Sequence, residues 1–123
     1  MEDNLNDNIR PPGKTTIAPG VLLTIARLTT LDIKGVSQMA PIPGSVSWMA
    51  KRSQADGIRI EIEDDRVYAD IYVTIKQDFN VREVSRNIQN SVARAISKMV
   101  GMEVGHINIH IEDIDYLSEK SEA

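Results

Sequence analysis

Two histidines, no cysteine and a scatter of hydroxyls are what this chain of 123 residues offers for chemistry. Without a thiol there is no disulfide scaffold, no thiolate zinc site and no cysteine nucleophile. A nucleophile would have to be Ser, Thr or Lys, activated by a His base that an acid orients. The nearest approach to a nucleophile elbow, Gly44-Ser45-Val46-Ser47-Trp48, fails at its last position. His106 and His110 fall on a strand pattern, where four residues span about 13 Å, too far for one ion. His110 and Glu112 share a face about 7 Å apart, but no third ligand accompanies them. Both histidines read as solvated side chains on an open sheet face. Neither Gly-x-x-x-x-Gly-Lys nor Gly-x-Gly-x-x-Gly occurs, so the chain has no phosphate cradle of either kind. No catalytic, metal or cofactor residue is assigned, and the chain reads as a non-enzyme.

Two other groupings concern binding. Tyr68 and Tyr72 share a face with Arg59, His106 and His110, which resembles a stacking platform for single-stranded RNA. Glu61 and Asp70 dilute it, and cross-strand packing accounts for the tyrosines more simply. A KH module would need a Gly-x-x-Gly loop between helices, which this chain lacks. A small cytosolic binding module for RNA or a small molecule, using this face, is the alternative reading. The second grouping is electrostatic. Residues 81–100 carry Arg82, Arg86, Arg94 and Lys98 against Glu83 alone, a net of +3, whereas residues 112–123 carry five acids and one base, a net of −4. A solvated face explains such charge by itself. Opposite signs on one chain also permit head-to-tail association, which builds rings or filaments. Trp48 and Met49 sit in a Ser/Pro/Gly-rich stretch, either as a lid over the core edge or as an interface anchor.

The elements that must position these residues follow from periodicity. Apolar residues at 41% and charged ones at 26% are ordinary for a soluble globular chain. The length suffices for one domain. Residues 1–13 read as a disordered tail and 117–123 as an acidic tail of the same kind, leaving a single domain over 14–116. No apolar run approaches the ~18 residues of a membrane span. The start is acidic and polar, unlike a secretory signal.

Within the domain, residues 15–18 suggest a short strand. Pro19 then suits a helix start, and the helix over about 19–32 would line up Val21, Ile25 and Leu28, with Leu22 and Ala26 beside them. Leu23 and Leu31 fall off that stripe, so the helix is expected to be covered on more than one side. A short strand near Val36 and a long loop over 40–57 come next. Residues 58–63 and 66–76 alternate apolar and polar as two strands around an Asp64-Asp65 turn. Pairing Glu63 with Arg66 sets Ile62 against Val67, Ile60 against Ala69, Ile58 against Ile71 and Arg59 against Asp70. Asn80 and Glu83 form a capping-box pattern for a helix over 81–100, with Val81, Val84, Ile88, Val92, Ala95, Ile96 and Met99 as its stripe and Gly101 as its stop. His106 to Asp113 is the last strand, with Ile107, Ile109 and Ile111 inward. The order β-α-β-β-β-α-β predicts an α+β fold of two layers, a mainly antiparallel sheet with two helices on one face. Ile60, Ile71, Ile88 and Ile109 should share one interior.

Several stretches in this order resemble the alkaline-shock-protein family of Gram-positive envelope stress response proteins. They are Gly13-Lys14-Thr15-Thr16-Ile17, Val21-Leu22-Leu23-Thr24-Ile25-Ala26, Lys34-Gly35-Val36 and Val67-Tyr68-Ala69-Asp70-Ile71-Tyr72-Val73. The most specific run from Asn80-Val81 through Val84, Ile88-Gln89 and Val92 to Met99-Val100-Gly101-Met102-Glu103-Val104, closing with Ile107-Asn108-Ile109-His110-Ile111. The resemblance implies a non-enzymatic cytoplasmic protein that self-associates and gathers at the inner membrane face through a membrane-anchored partner. It supplies no catalytic residues. Direct lipid anchoring fits poorly with a net charge of −4, because the inner leaflet is itself anionic. Gly does not follow Met1 and there is no Cys to acylate, so a protein partner is the expected route. Trp48, Met49, Arg82, Arg86, Arg94 and Lys98 are the candidate interaction residues, and no nucleic acid is expected.

Overall fold

The computed structural model describes residues 12–44, 54–55 and 57–116. In chain order these hold helix α1 (Pro19–Leu31), strands β1 (Val36–Met39), β2 (Gln54–Ala55), β3 (Ile58–Glu63) and β4 (Arg66–Lys76), helix α2 (Val81–Val100) and strand β5 (Glu103–Asp115). This is the α+β order read from the sequence, with differences in detail. Residues 15–18 carry no strand pairing. All but the half-buried Ile17 are exposed, so a strand there would have no apolar face to bury. The loop over 40–57 contributes the two-residue β2. Trp48 and Met49, as well as most of both tails, lie outside the described residues.

The β3–β4 hairpin has the register that its alternation demands, from Glu63 opposite Arg66 to Ile58 opposite Ile71, with Arg59 opposite Asp70. Asp64 and Asp65 turn the corner with φ of 51° and 65°, the left-handed conformation of a tight two-residue turn. The eleven residues of β4 exceed the reach of β3. Its C-terminal half therefore takes a second partner on the same edge, β1, antiparallel through Val36–Ile75 and Met39–Val73. Tyr72 marks the junction: its N–H donates to Gly57 and its carbonyl accepts from Ala40. Along its other edge β4 pairs with β5 in parallel from Arg66–Glu103 to Lys76–Asp115. Parallel neighbours need a crossover, and α2 supplies it. The sheet is thus mainly antiparallel, with one parallel pair.

Asn80 caps α2, its Oδ1 accepting from the Glu83 N–H at 3.0 Å. Gly101 ends it in the left-handed region at φ 73°. Both helices pack on one sheet face. Val67, Ala69, Ile71, Val73 and Ile75 of β4 meet Ile58, Ile60, Val36 and Ile107 from the other strands, then Leu22, Ile25 and Ala26 of α1 and Val84, Ile88, Val92 and Ile96 of α2. Ile60, Ile71 and Ile88 share this interior, and Ile109 packs against it.

The helix faces correct the sequence reading in two places. The buried residues of α1 are Leu22, Leu23, Ile25, Ala26 and Thr30. Val21 and Leu28, expected inside, are 45% and 56% exposed. Leu23, with its neighbours at three- and four-residue spacing, competes for the same core and wins it. As expected, α1 is covered on more than one side, by β1 and β3 of the sheet and by α2 beside it. On α2 the buried row is Val84, Ile88, Val92 and Ile96. Val81 and Met99 overhang it at the two ends, Met99 being 70% exposed. Ile88→Ala should cost about 2–5 kcal/mol, while Met99→Ala should stay within about 0.5 kcal/mol. Urea unfolding of both variants checks the assignment.

Candidate interaction surface

The crossover that joins β4 to β5 also sets where the cations of α2 lie. The helix runs back against β5, so its first half sits beside the later half of that strand. Val81, Arg82, Ser85, Arg86, Gln89 and Ile111 line a groove of about 350 Å³ there. Gln89 closes one end, its Nε2 donating to the Ile107 carbonyl at 3.0 Å. Such a bond satisfies an acceptor on an edge strand that would otherwise invite pairing. No acid lines the groove, and neither Arg82 nor Arg86 has an ion pair among the described residues.

Of the four cations singled out by sequence, the structure groups Arg82 and Arg86 at this groove. Arg94 and Lys98 are also exposed and unpaired among the described residues. They begin about 12 Å further along the helix, at about 1.5 Å per residue. The basic face is thus a band along α2, with Arg82 and Arg86 at the groove beside β5. At the C-terminal end of β5, Glu112 and Asp113 are exposed. Asp115 is engaged: its carboxylate accepts from the Ser37 hydroxyl and its carbonyl from the Gln77 N–H.

The other sheet face carries a second arrangement, in three rows across β4 and β5: Tyr68 with His106, Asp70 with Asn108, Tyr72 with His110. Asp70 Oδ1 accepts from Asn108 Nδ2 at 3.2 Å and binds His110 Nε2 at 3.0 Å. Partial burial raises the Asp70 pKa. The hydrogen bonds from His110 and Asn108, with the charges of His110 and Arg59, outweigh that and hold it below the ordinary carboxylate value. The Tyr72 ring stacks on His110 at 4.3 Å between centroids, and Tyr68 meets His106 edge-on at 4.8 Å. The Tyr68 ring also lies against Gly105, where a Cβ would collide with it. The aromatic surfaces are therefore spent largely on each other, with a carboxylate between them. That suits a structural ladder better than a base-stacking platform. Sequence gave the shared face of these residues. The Asp70–His110 bond needed the β4–β5 register, which joins positions forty residues apart. Among the described residues no cluster of three or more His, Asp or Glu could hold a metal ion.

A depressed carboxylate stabilises the fold above its unfolded pKa of about 3.9, and the stabilisation is lost as pH falls through the folded value. Wild type should therefore melt above Asp70→Asn near neutrality, and the gap should close below about pH 4. Thermal melts of both proteins across pH 2–7 measure it.

Comparisons with known proteins bear on what this surface serves. A family model described as the alkaline shock protein 23 family, with cell envelope-related function, matches residues 8–116. The chain is 26% identical over 112 residues to the uncharacterized protein YqhY of Bacillus subtilis, covering 89% of this chain and 83% of that one. It is 34% identical over 103 residues to the uncharacterized protein Spy1535 of Streptococcus pyogenes serotype M6, covering 83% and 79%. Among solved structures, the copper form of the MamM CTD superposes with a TM-score of 0.54 at 10% identity, over 79% of this chain and 87% of that one. At that identity the likeness is one of fold. The family match over most of the chain, with the ordered motifs that first pointed to it, establishes that this protein belongs to the alkaline shock protein 23 family, whose function is related to the cell envelope.

Proposed function

We propose that this chain is a non-enzymatic structural protein of the envelope stress response, which associates with further copies of itself and is recruited to the inner membrane face by a membrane-anchored partner protein. The observation that carries the reading is the band Arg82, Arg86, Arg94 and Lys98, unpaired among the described residues, on the same domain as the exposed acids Glu112 and Asp113. Two surfaces of opposite sign on one chain associate heterologously, and a heterologous contact propagates. Partner-mediated recruitment follows from what the fold spends. The apolar row of α2 is consumed by the core, so its basic face has no apolar side left to lie in lipid. No helix among the described residues is long and apolar enough to cross a membrane. The net charge of −4 opposes an anionic leaflet.

Sedimentation velocity at several concentrations and salt levels tests association. Assemblies should grow with concentration and shrink as salt rises, because exposed pairs are screened within about 8 Å at 0.15 M. Arg82→Glu with Arg86→Glu should reduce them at low salt. The purified protein should not pellet with anionic vesicles at physiological salt, whereas a fluorescently tagged copy in cells should sit at the periphery. A strict monomer that pellets with bare vesicles would sink the proposal.

A further inference from the structure

The outward face of α1 carries an apolar seam that no described residue covers, and its geometry names an occupant. Val21, Leu28 and Leu31 are 45%, 56% and 38% exposed, and Thr24 is exposed between them. The spacing 21, 24, 28, 31 is the three-four alternation of a coiled-coil seam, with Val21 and Leu28 at a positions and Thr24 and Leu31 at d positions. At about 100° per residue, this stripe points almost diametrically away from the core stripe of Leu22, Ala26 and Thr30. It therefore points away from the core of its own domain.

Charge fixes what covers it. In this frame Arg27 occupies the g position and Asp32 the following e position, five residues on. In a parallel pair of helices, g of one chain meets that e of the other. Neither residue has an ion pair among the described residues. Asp32 moreover stands at the C-cap of α1, where the helix dipole disfavours an acid. Within one copy no described residue forms an ion pair with it. Across a two-fold axis parallel to the helix, each Asp32 faces the Arg27 of the other chain.

We infer that α1 pairs in parallel with α1 of a second copy, burying Val21, Thr24, Leu28 and Leu31 in a two-fold seam flanked by two Arg27–Asp32 pairs. The inference rests on the reading that copies of this chain associate, and adds to it an isologous apolar contact distinct from the heterologous basic band. A dimer made this way and joined to others through charge extends as a network, which neither contact generates alone in two directions. The seam spans only about 15 Å of helix at 1.5 Å per residue, so the pairing is concentration-dependent.

The absence of cysteine makes a clean test. Thr24→Cys, in the otherwise complete chain, should form a disulfide-linked dimer under mild oxidation, because d positions face each other in a parallel pair. It should do so even at 1 M salt, where screening to about 3 Å removes the charge-mediated assemblies. Leu28→Glu should weaken dimerisation at that salt at least about tenfold in Kd, with an unchanged circular dichroism spectrum reporting an intact fold. Cross-linking only when Thr24→Cys is mixed with Leu28→Cys would mean antiparallel pairing and would overturn the proposed arrangement. Salt-sensitive assembly with no Thr24→Cys dimer and no response to Leu28→Glu would overturn the seam while leaving the broader reading intact. No association under any condition would remove both.

Discussion

The burial of one side of β4 is the constraint from which the rest of the molecule follows. Val67, Ala69, Ile71, Val73 and Ile75 are all but inaccessible to solvent, and each buried Val or Ile side chain is worth about 1.5–3 kcal/mol. Slipping the strand by one residue would exchange them for Tyr68, Asp70, Tyr72 and Thr74. It would drive the Asp70 carboxylate into the core, where an unpaired charge is far too costly. With β4 held, the registers of its three neighbours are held too. β3 and β1 share one edge because β4 is longer than either, and β5 takes the whole of the other.

That arrangement decides where charge appears. Because β5 lies parallel to β4, the chain must cross back over the sheet, and α2 is that crossing. Its buried row is satisfied by the sheet, so its cations are turned outward, and its first turns are laid beside the later residues of β5. Arg82 and Arg86 thereby border a groove whose edge is a strand, while the acids of the same strand end lie just beyond. On the opposite sheet face, the rows of Tyr, Asp and His bind across the same β4–β5 pairing and reinforce it. The parallel pairing at the sheet edge is thus held by core packing on one side, side-chain hydrogen bonding on the other, and the Gln89 bond from above.

Membership of an envelope-related family agrees with a molecule whose conspicuous features are surfaces. The domain offers a basic band, an acidic strand end and an exposed apolar helix face. A propagating charge contact and a closed two-fold contact obey different physics, the first screened by salt and the second driven by removal of apolar area from water. Having both would let assembly respond to ionic conditions without dissolving completely.

What the sequence determined by itself was local. Alternation over 58–76 specifies the hairpin and its register, since the side-chain period of a strand leaves one pairing in which apolar meets apolar and Arg59 meets Asp70. The Asn80 cap and Gly101 stop delimit α2 because capping is chemistry between near neighbours. The family, too, was legible, because its motifs are short and ordered. What only the tertiary structure decided was competition between faces and partners. Helix α1 has more apolar positions than one core stripe can hold. Periodicity alone favoured Val21 and Leu28, whereas packing against α2, β3 and β1 selected Leu22, Leu23 and Ala26 and left the others in water. The strand expected at residues 15–18 did not form, because a strand needs a buried face as well as extended backbone. The Asp70–His110 bond and the Arg82–Arg86 groove were likewise invisible beforehand. Each joins residues from different elements, and only the β4–α2–β5 crossover brings those elements together.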